Sequence, residues 1–161
     1  MLDIATPKGR ITVEQEQCAI AIWHSNYPQV QYIETPKDKP AAIDAIMIHN
    51  GRCTGVVETK CRELSFAQFD NLFDQTWLVT LDKIMTAKSV AEGLQVPLLG
   101  FLYLVPDYTL LWRKLWCPEN GWVTPFTVKK TETRATVNGG KALRDNAFID
   151  MRNCDQLRMR G

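Results

Sequence analysis

The chain has 161 residues, enough for one domain with a full core and too few to expect two. Hydrophobic residues at 45% and charged residues at 23% are ordinary for a globular protein, and no apolar run approaches the roughly 18 residues needed to span a bilayer, so no membrane partner is expected. The net charge of +1 excludes a uniformly basic or acidic surface but hides an asymmetry: from Lys129 to the end eight Lys/Arg face four Asp/Glu, leaving residues 1–128 with 11 against 14. Charge alone leaves that basic segment open as a phosphate-binding extension or a solvated tail. Five cysteines (Cys18, Cys53, Cys61, Cys117 and Cys154) form no CxxC and have no histidine pair nearby. They predict reduced, mostly buried thiols rather than structural zinc. The opening MLDIATPKGR lacks the basic-then-apolar layout of a secretory leader, so an intracellular, cytoplasmic location is expected.

Taken in order, Thr12 with Gln15 fits a capping box and predicts a first helix of about three turns over VEQEQCAIAIWHSN. Cys18, Ala19, Ile22 and Trp23 recur at helical spacing and are expected to face the core. Glu14 and Glu16 fall in its first turn, where the helix dipole alone would favour them. His24, near the helix end, reads as a C-terminal cap or a surface residue. VQYIE alternates loosely, as a short edge strand does, and TPKDKPAA is a turn-rich connector.

A hairpin follows. AIMI and GVV flank Asn50-Gly51, a dipeptide that readily takes positive φ, and both strands are apolar on both faces, as in a covered central pair. Ser65 is a good N-cap for a long helical region from Phe66 to about Gly93, bent or broken near residues 76–80. Phe66, Phe69, Leu72, Phe73 and Trp77 would form its buried stripe. VPLLGFLYLV and YTLLWRKLW then read as two strands joined through PDY, and GWVTPFTV as a further strand. Trp112, Trp116 and Trp122 read as core or interface residues. The basic segment over 129–161 carries Asn138-Gly139-Gly140 and no clear periodicity. Helix, three strands, helix, two strands is the order of an α/β domain with a mixed sheet between helices.

Three charges punctuate the apolar hairpin. Asp44 enters its first strand, and Glu58 and Lys60, two apart and so on one face, end its second. Charges in buried strands are costly unless paired or holding a metal. A buried ion pair of Glu58 with Lys60, Asp44 capping a turn, is the plain alternative; it leaves two carboxylates for one lysine, a deficit a metal would supply. Parity adds a demand. With a strict two-residue loop, pairs sum to 101, so Asp44 would face Val57 and Glu58 would point to the opposite side of the sheet. Convergence of the two acids requires an odd loop or a bulge, because a one-residue slip flips every side chain.

Glu58-Thr59-Lys60 is the only [DE]-x-K in the sequence. With Asp44 one hairpin upstream and a glutamate on the preceding helix, the chain resembles the PD-(D/E)xK nuclease superfamily over about residues 12–105. Ile43 stands where the name motif has proline. The resemblance implies a restriction-endonuclease-like mixed β-sheet core flanked by helices, one nuclease-like domain with its core at about 12–128 and a basic extension at 129–161. It implies a Mg²⁺-dependent deoxyribonuclease, endonuclease slightly preferred, with Mn²⁺ able to substitute and a homodimer possible. Asp44 and Glu58 would ligate the metal with a backbone carbonyl near Thr59, Lys60 would act on the attacking water or the phosphate, and Glu16 or Glu14 would complete the catalytic set. Gln68 and Lys83 are accessory candidates from the second helix. Arg62 would contact phosphate or pair with Glu63. Lys129, Lys130, Arg134, Lys141 and Arg144 could follow a DNA backbone. The alternative is a nucleic-acid-binding or scaffold protein on the same fold without catalysis.

Overall fold

The computed structural model describes residues 7–132 and 143–161. Helix α1 (Pro7–Asn26) is longer than the capping box predicts. Thr12 lies inside it, and Pro7, whose fixed φ suits a first helical turn, stands at its start. Ala19, Ile22 and Trp23 are buried as expected, but Cys18 is exposed. Strand β1 (Gln31–Glu34) pairs antiparallel with β2 (Ala45–His49), which forms the hairpin with β3 (Arg52–Arg62) around Asn50 and Gly51, both at positive φ.

The region expected as one long helix divides into three elements. Helix α2 (Phe66–Phe73) begins at Ser65, where a complete capping box with Gln68 is present. Residues Thr76–Thr80 form a strand, β4, and α3 (Leu81–Leu94) follows. The sequence TWLVT, with β-branched and aromatic residues, prefers a pleated surface to a helix. The predicted stripe breaks accordingly: Phe69 and Trp77 are buried, whereas Leu72 and Phe73 are exposed. Gly93 does not end α3; Gln95, in the left-handed conformation, does.

Strands β5 (Leu98–Leu104) and β6 (Thr109–Cys117) complete the centre of the main sheet, whose order is β1-β2-β3-β5-β6-β10, with the short β7 (Gly121–Trp122) also on β6 and β10 spanning Asp155–Leu157. Among the described residues only β3 and β5 run parallel, joined through α2, β4 and α3. A second, antiparallel sheet has the order β4-β9-β8, from β8 (Phe126–Glu132) and β9 (Leu143–Asp150). The basic C-terminal region is therefore no extension beyond residue 128, because β9 lies at the centre of the second sheet and β10 pairs with β6. The whole is mixed α/β, with mostly antiparallel sheets and three α-helices among the described residues.

Strand β5 is buried on both faces, which explains its unbroken apolar run. One face carries Leu99, Phe101 and Tyr103 against Trp23 of α1. The other carries Leu98, Leu102 and Leu104, in a cluster with Ile84 and Ala87 of α3 and Trp77 and Ile149 of the second sheet. Trp116 is buried, and Trp112 and Trp122 pack against the core clusters. All five cysteines are free thiols, with only Cys117 fully buried. Among the described residues no helix is long and apolar enough to cross a membrane.

Candidate metal and phosphate site

The hairpin meets the parity demand with an irregularity. Near the turn Ile48 pairs with Cys53, but beyond it Met47 pairs with Gly55 and Ala45 with Val57. Thr54 is the extra residue, a β-bulge that shifts the register by one. Asp44 and Glu58 consequently come to the same side of the ladder end. The Asp44 amide donates to Val57 O at 3.0 Å, and Asp44 Oδ2 accepts the Thr59 amide at 2.7 Å.

Glu58 is completely buried, and neither of its oxygens accepts a hydrogen bond from a protein donor; its own proton, when held, is shared with the Asp44 carboxylate. Two ammonium groups lie near it: Lys60 Nζ at 3.9 Å from Oε1 and Lys83 Nζ at 3.8 Å from Oε2. Both are within ion-pair reach but too far to hydrogen-bond. Burial, followed by the nearby Asp44 carboxylate, pushes the Glu58 carboxyl up to about 8, against the opposing pull of Lys83 and Lys60. With no cation added, Glu58 therefore holds its proton at neutral pH.

A cavity of about 470 Å³ opens beside this group. Asp44, Lys60 and Lys83 line it together with Glu16 of α1, Lys37 of the connector and Arg144 of the second sheet. Lys83, in the first turn of α3, also donates to Ala41 O at 3.3 Å. Lys37 Nζ lies 3.2 Å from Glu16 Oε2 and 4.0 Å from Asp44 Oδ1. Burial raises the Glu16 carboxyl above its usual range, and Lys37 opposes the rise.

Glu16 is thus the α1 acid at the cavity, while Glu14 is exposed and not part of its lining. Lys83 is the accessory residue that reaches the site. Gln68 is not, because its side chain accepts the Ser65 amide in the α2 cap. Arg62 Nη1 donates to the Cys61 carbonyl, and Arg62 does not line the cavity; Glu63, offered as its partner, accepts from Gln15 at 2.7 Å. Of the basic C-terminal residues that are described, only Arg144 reaches the cavity. Lys129 sits over the Phe148 ring, Lys130 is exposed, and Arg134 and Lys141, with the Asn138-Gly139-Gly140 turn, lie outside the described residues. Thr59 is buried, and its hydroxyl is 3.1 Å from Tyr32 OH.

Lys37 was not visible as a site residue in the sequence. TPKDKPAA carries two lysines close before Asp44, but the direction of a loop side chain has no periodicity to read. Two prolines at 36 and 40 restrict that connector, and its placement brings Lys37 onto the acids.

Among the described residues no group of three or more His, Cys, Asp or Glu is gathered so as to hold a metal ion. The three-acid set expected from Asp44, Glu58 and Glu16 is not assembled, because Glu16 is paired with Lys37. Asp44 and Glu58 remain. A fully buried Glu58 whose oxygens accept no hydrogen bond is an unusual liability once ionised, and a hard cation would offset it. Two carboxylates with a backbone carbonyl are oxygen donors of the kind that Mg²⁺ accepts while keeping several waters. The donor chemistry fits. Comparison with known protein families finds no family model that matches the chain, and comparison with curated proteins finds no match either.

Proposed function

We propose that this protein is a divalent-metal-dependent phosphodiesterase acting on DNA, an endonuclease in the first instance, on a restriction-endonuclease-like core. The observation that carries the reading is Glu58: wholly buried, accepting no hydrogen bond at either oxygen, against Asp44 and between two lysines. The element order supports it, since a helix, three antiparallel strands and a helical crossover to a parallel strand are the parts such a core requires.

Asp44 and Glu58, with a backbone carbonyl near Thr59, are the residues that would hold Mg²⁺ or Mn²⁺. Such an ion, when bound, polarises the scissile phosphate and makes a bound water more acidic. Lys60 is the most exposed of the three lysines closest to the acids, and its ammonium orients the attacking water or stabilises charge gathering on the phosphate oxygens. Lys83 holds the buried Glu58 side from α3. Arg144 and Lys39, at the cavity, bind phosphates of the backbone without reading bases.

One observation favours a second reading, nucleic-acid binding without hydrolysis: the third acid is occupied by Lys37, and five basic side chains line the cavity against two exposed-edge acids. Nicking of supercoiled plasmid in Mg²⁺ or Mn²⁺ separates the two. Wild type is expected to nick, and Asp44→Ala and Lys60→Ala to lose nearly all activity. Equal nicking by the three proteins would overturn the catalytic assignment. No nicking, with salt-dependent DNA binding retained, would favour the binding protein.

A further inference from the structure

The outer face of the second sheet is chemically unlike the metal and phosphate cavity. Along β4, Trp77 and Val79 point into the core, so Thr76, Leu78 and Thr80 share the outer face. Along β9, Ala147 and Ile149 point inward and leave Arg144 and Phe148 on that outer side, with Leu78 paired to Phe148. A second cavity, of about 590 Å³, opens there between Phe73, Leu78, Phe126, Lys129 and Phe148. Leu78 and Phe73 are 41% and 48% exposed, although both are large and apolar. The Lys129 ammonium lies 5.4 Å from the centre of the Phe148 ring. We propose that this cavity is a nucleobase-stacking subsite, taking an unpaired base from the DNA strand whose phosphates occupy the cavity beside Glu58. This rests on the DNA reading proposed above and narrows the substrate to DNA with a single-stranded segment next to the cleaved bond.

Continuity selects a DNA strand as the occupant. Thr80 and Arg144 line the cavity beside Glu58, and Leu78 and Phe148, on the same two strands and the same face, line the second one. The four residues from Arg144 to Phe148 span roughly 13 Å at the rise of a β-strand. That is about four steps of a stacked strand at ~3.4 Å each. Charge agrees with this path. Lys129 and Arg144 flank the apolar side chains on this face and suit phosphates, whereas the Arg152 guanidinium is held by Asp150 at 2.8 and 3.0 Å. The Lys129 ammonium covers the Phe148 ring by cation–π attraction, and a base that takes the ring frees that ammonium for the adjoining phosphate. An intact duplex cannot supply the base, because only an unstacked base can lay its ring on Phe148. Every base has such a face, so the subsite carries no sequence preference.

The test is fluorescence anisotropy with a labelled oligothymidylate long enough to span both cavities, in chelator so that no strand is cut. Wild type is expected to bind it more tightly than a blunt duplex of equal length. Phe148→Leu, which keeps an apolar side chain, is expected to weaken single-strand binding by about tenfold, as loss of one base–aromatic stack does, and duplex binding little. Phe148→Tyr keeps the ring and is expected to keep the affinity, which separates stacking from a folding defect. Unchanged single-strand affinity in Phe148→Leu, equal loss in Phe148→Leu and Phe148→Tyr, or no single-strand binding by wild type would overturn the subsite. Each would leave the phosphodiesterase reading to be judged by plasmid nicking. A dimer that Leu78→Lys disperses, without preference for single strands, would give the face to a second copy of the chain and also overturn it. Absence of nicking, with ring-dependent single-strand binding intact, would remove catalysis and keep the subsite.

Discussion

Asp44 Oδ2 accepts the backbone amide of Thr59 at 2.7 Å, while the Asp44 carbonyl accepts from Thr35, so a carboxylate serves as a structural acceptor at the very end of the β2–β3 ladder. The same side chain therefore has a folding role and a proposed chemical one. Substitutions at 44 separate them. Asp44→Asn retains an acceptor for the Thr59 amide and removes the charge; Asp44→Ala removes both. Urea unfolding is expected to show Asp44→Ala destabilised by about 1–3 kcal/mol, because a part-buried donor is left unpaired, and Asp44→Asn by clearly less. Both are expected to lose nicking. A fully active Asp44→Asn would show that the charge is not needed.

Glu58 makes the metal-free protein pH-sensitive. Its carboxyl is raised from 4.5 to about 8 on folding, so between those values the folded chain holds a proton that the unfolded chain has released. Stability must then fall as pH rises through that window and level off above it. Unfolding midpoints measured in chelator across the window are expected to decline for wild type, and Glu58→Gln is expected to remove most of the decline. Divalent-ion affinity should run the other way, tightening by about tenfold per pH unit below the Glu58 titration if a single proton is displaced. A flat affinity profile would dissociate Glu58 from the ion.

The bulge at Thr54 is what turns both acids to one side. Deleting Thr54 restores an even ladder, and β3 can tolerate the flip at Val56 and Val57 because both faces there are apolar and buried. Glu58 cannot. The expected product unfolds cooperatively with lowered stability and binds no Mn²⁺ when titrated with it. Wild-type Mn²⁺ binding by the deletion variant would mean that register does not build the site.

Gly100 on β5 lets the second sheet close onto the first. A Cβ there would stand 2.7 Å from Trp77 Cζ3 and 3.0 Å from Leu115 Cδ1, both in the buried core. Gly100→Ala is expected to cost about 1–3 kcal/mol through overpacking and to leave the count of bound Mn²⁺ unchanged. Thermal unfolding followed by circular dichroism measures the first effect; an unaltered midpoint would show that Trp77 has room to shift.

Much of this was legible in the sequence, and the limits fall where local pattern loses its grip. Alternation, the Asn50-Gly51 turn, the Ser65 cap and the unbroken apolar run of β5 specify elements through nearest-neighbour geometry, and parity arithmetic made convergence of Asp44 and Glu58 conditional on an irregularity, which Thr54 supplies. TWLVT was hidden because its apolar residues also fit a helical stripe; its partner strand β9, absent from local view, decided for a sheet. Lys37 and Arg144 reach the cavity from a connector and from a separate sheet, and no spacing rule spans those distances. By itself the sequence determined that Asp44, Glu58 and Lys60 belong to one hairpin, since their separation along the chain and the turn between them are local facts. Only the tertiary structure decided which ammonium groups those acids meet and that Glu58 is left with no hydrogen-bond donor, because burial and counter-charge depend on whichever distant segments pack above the strand.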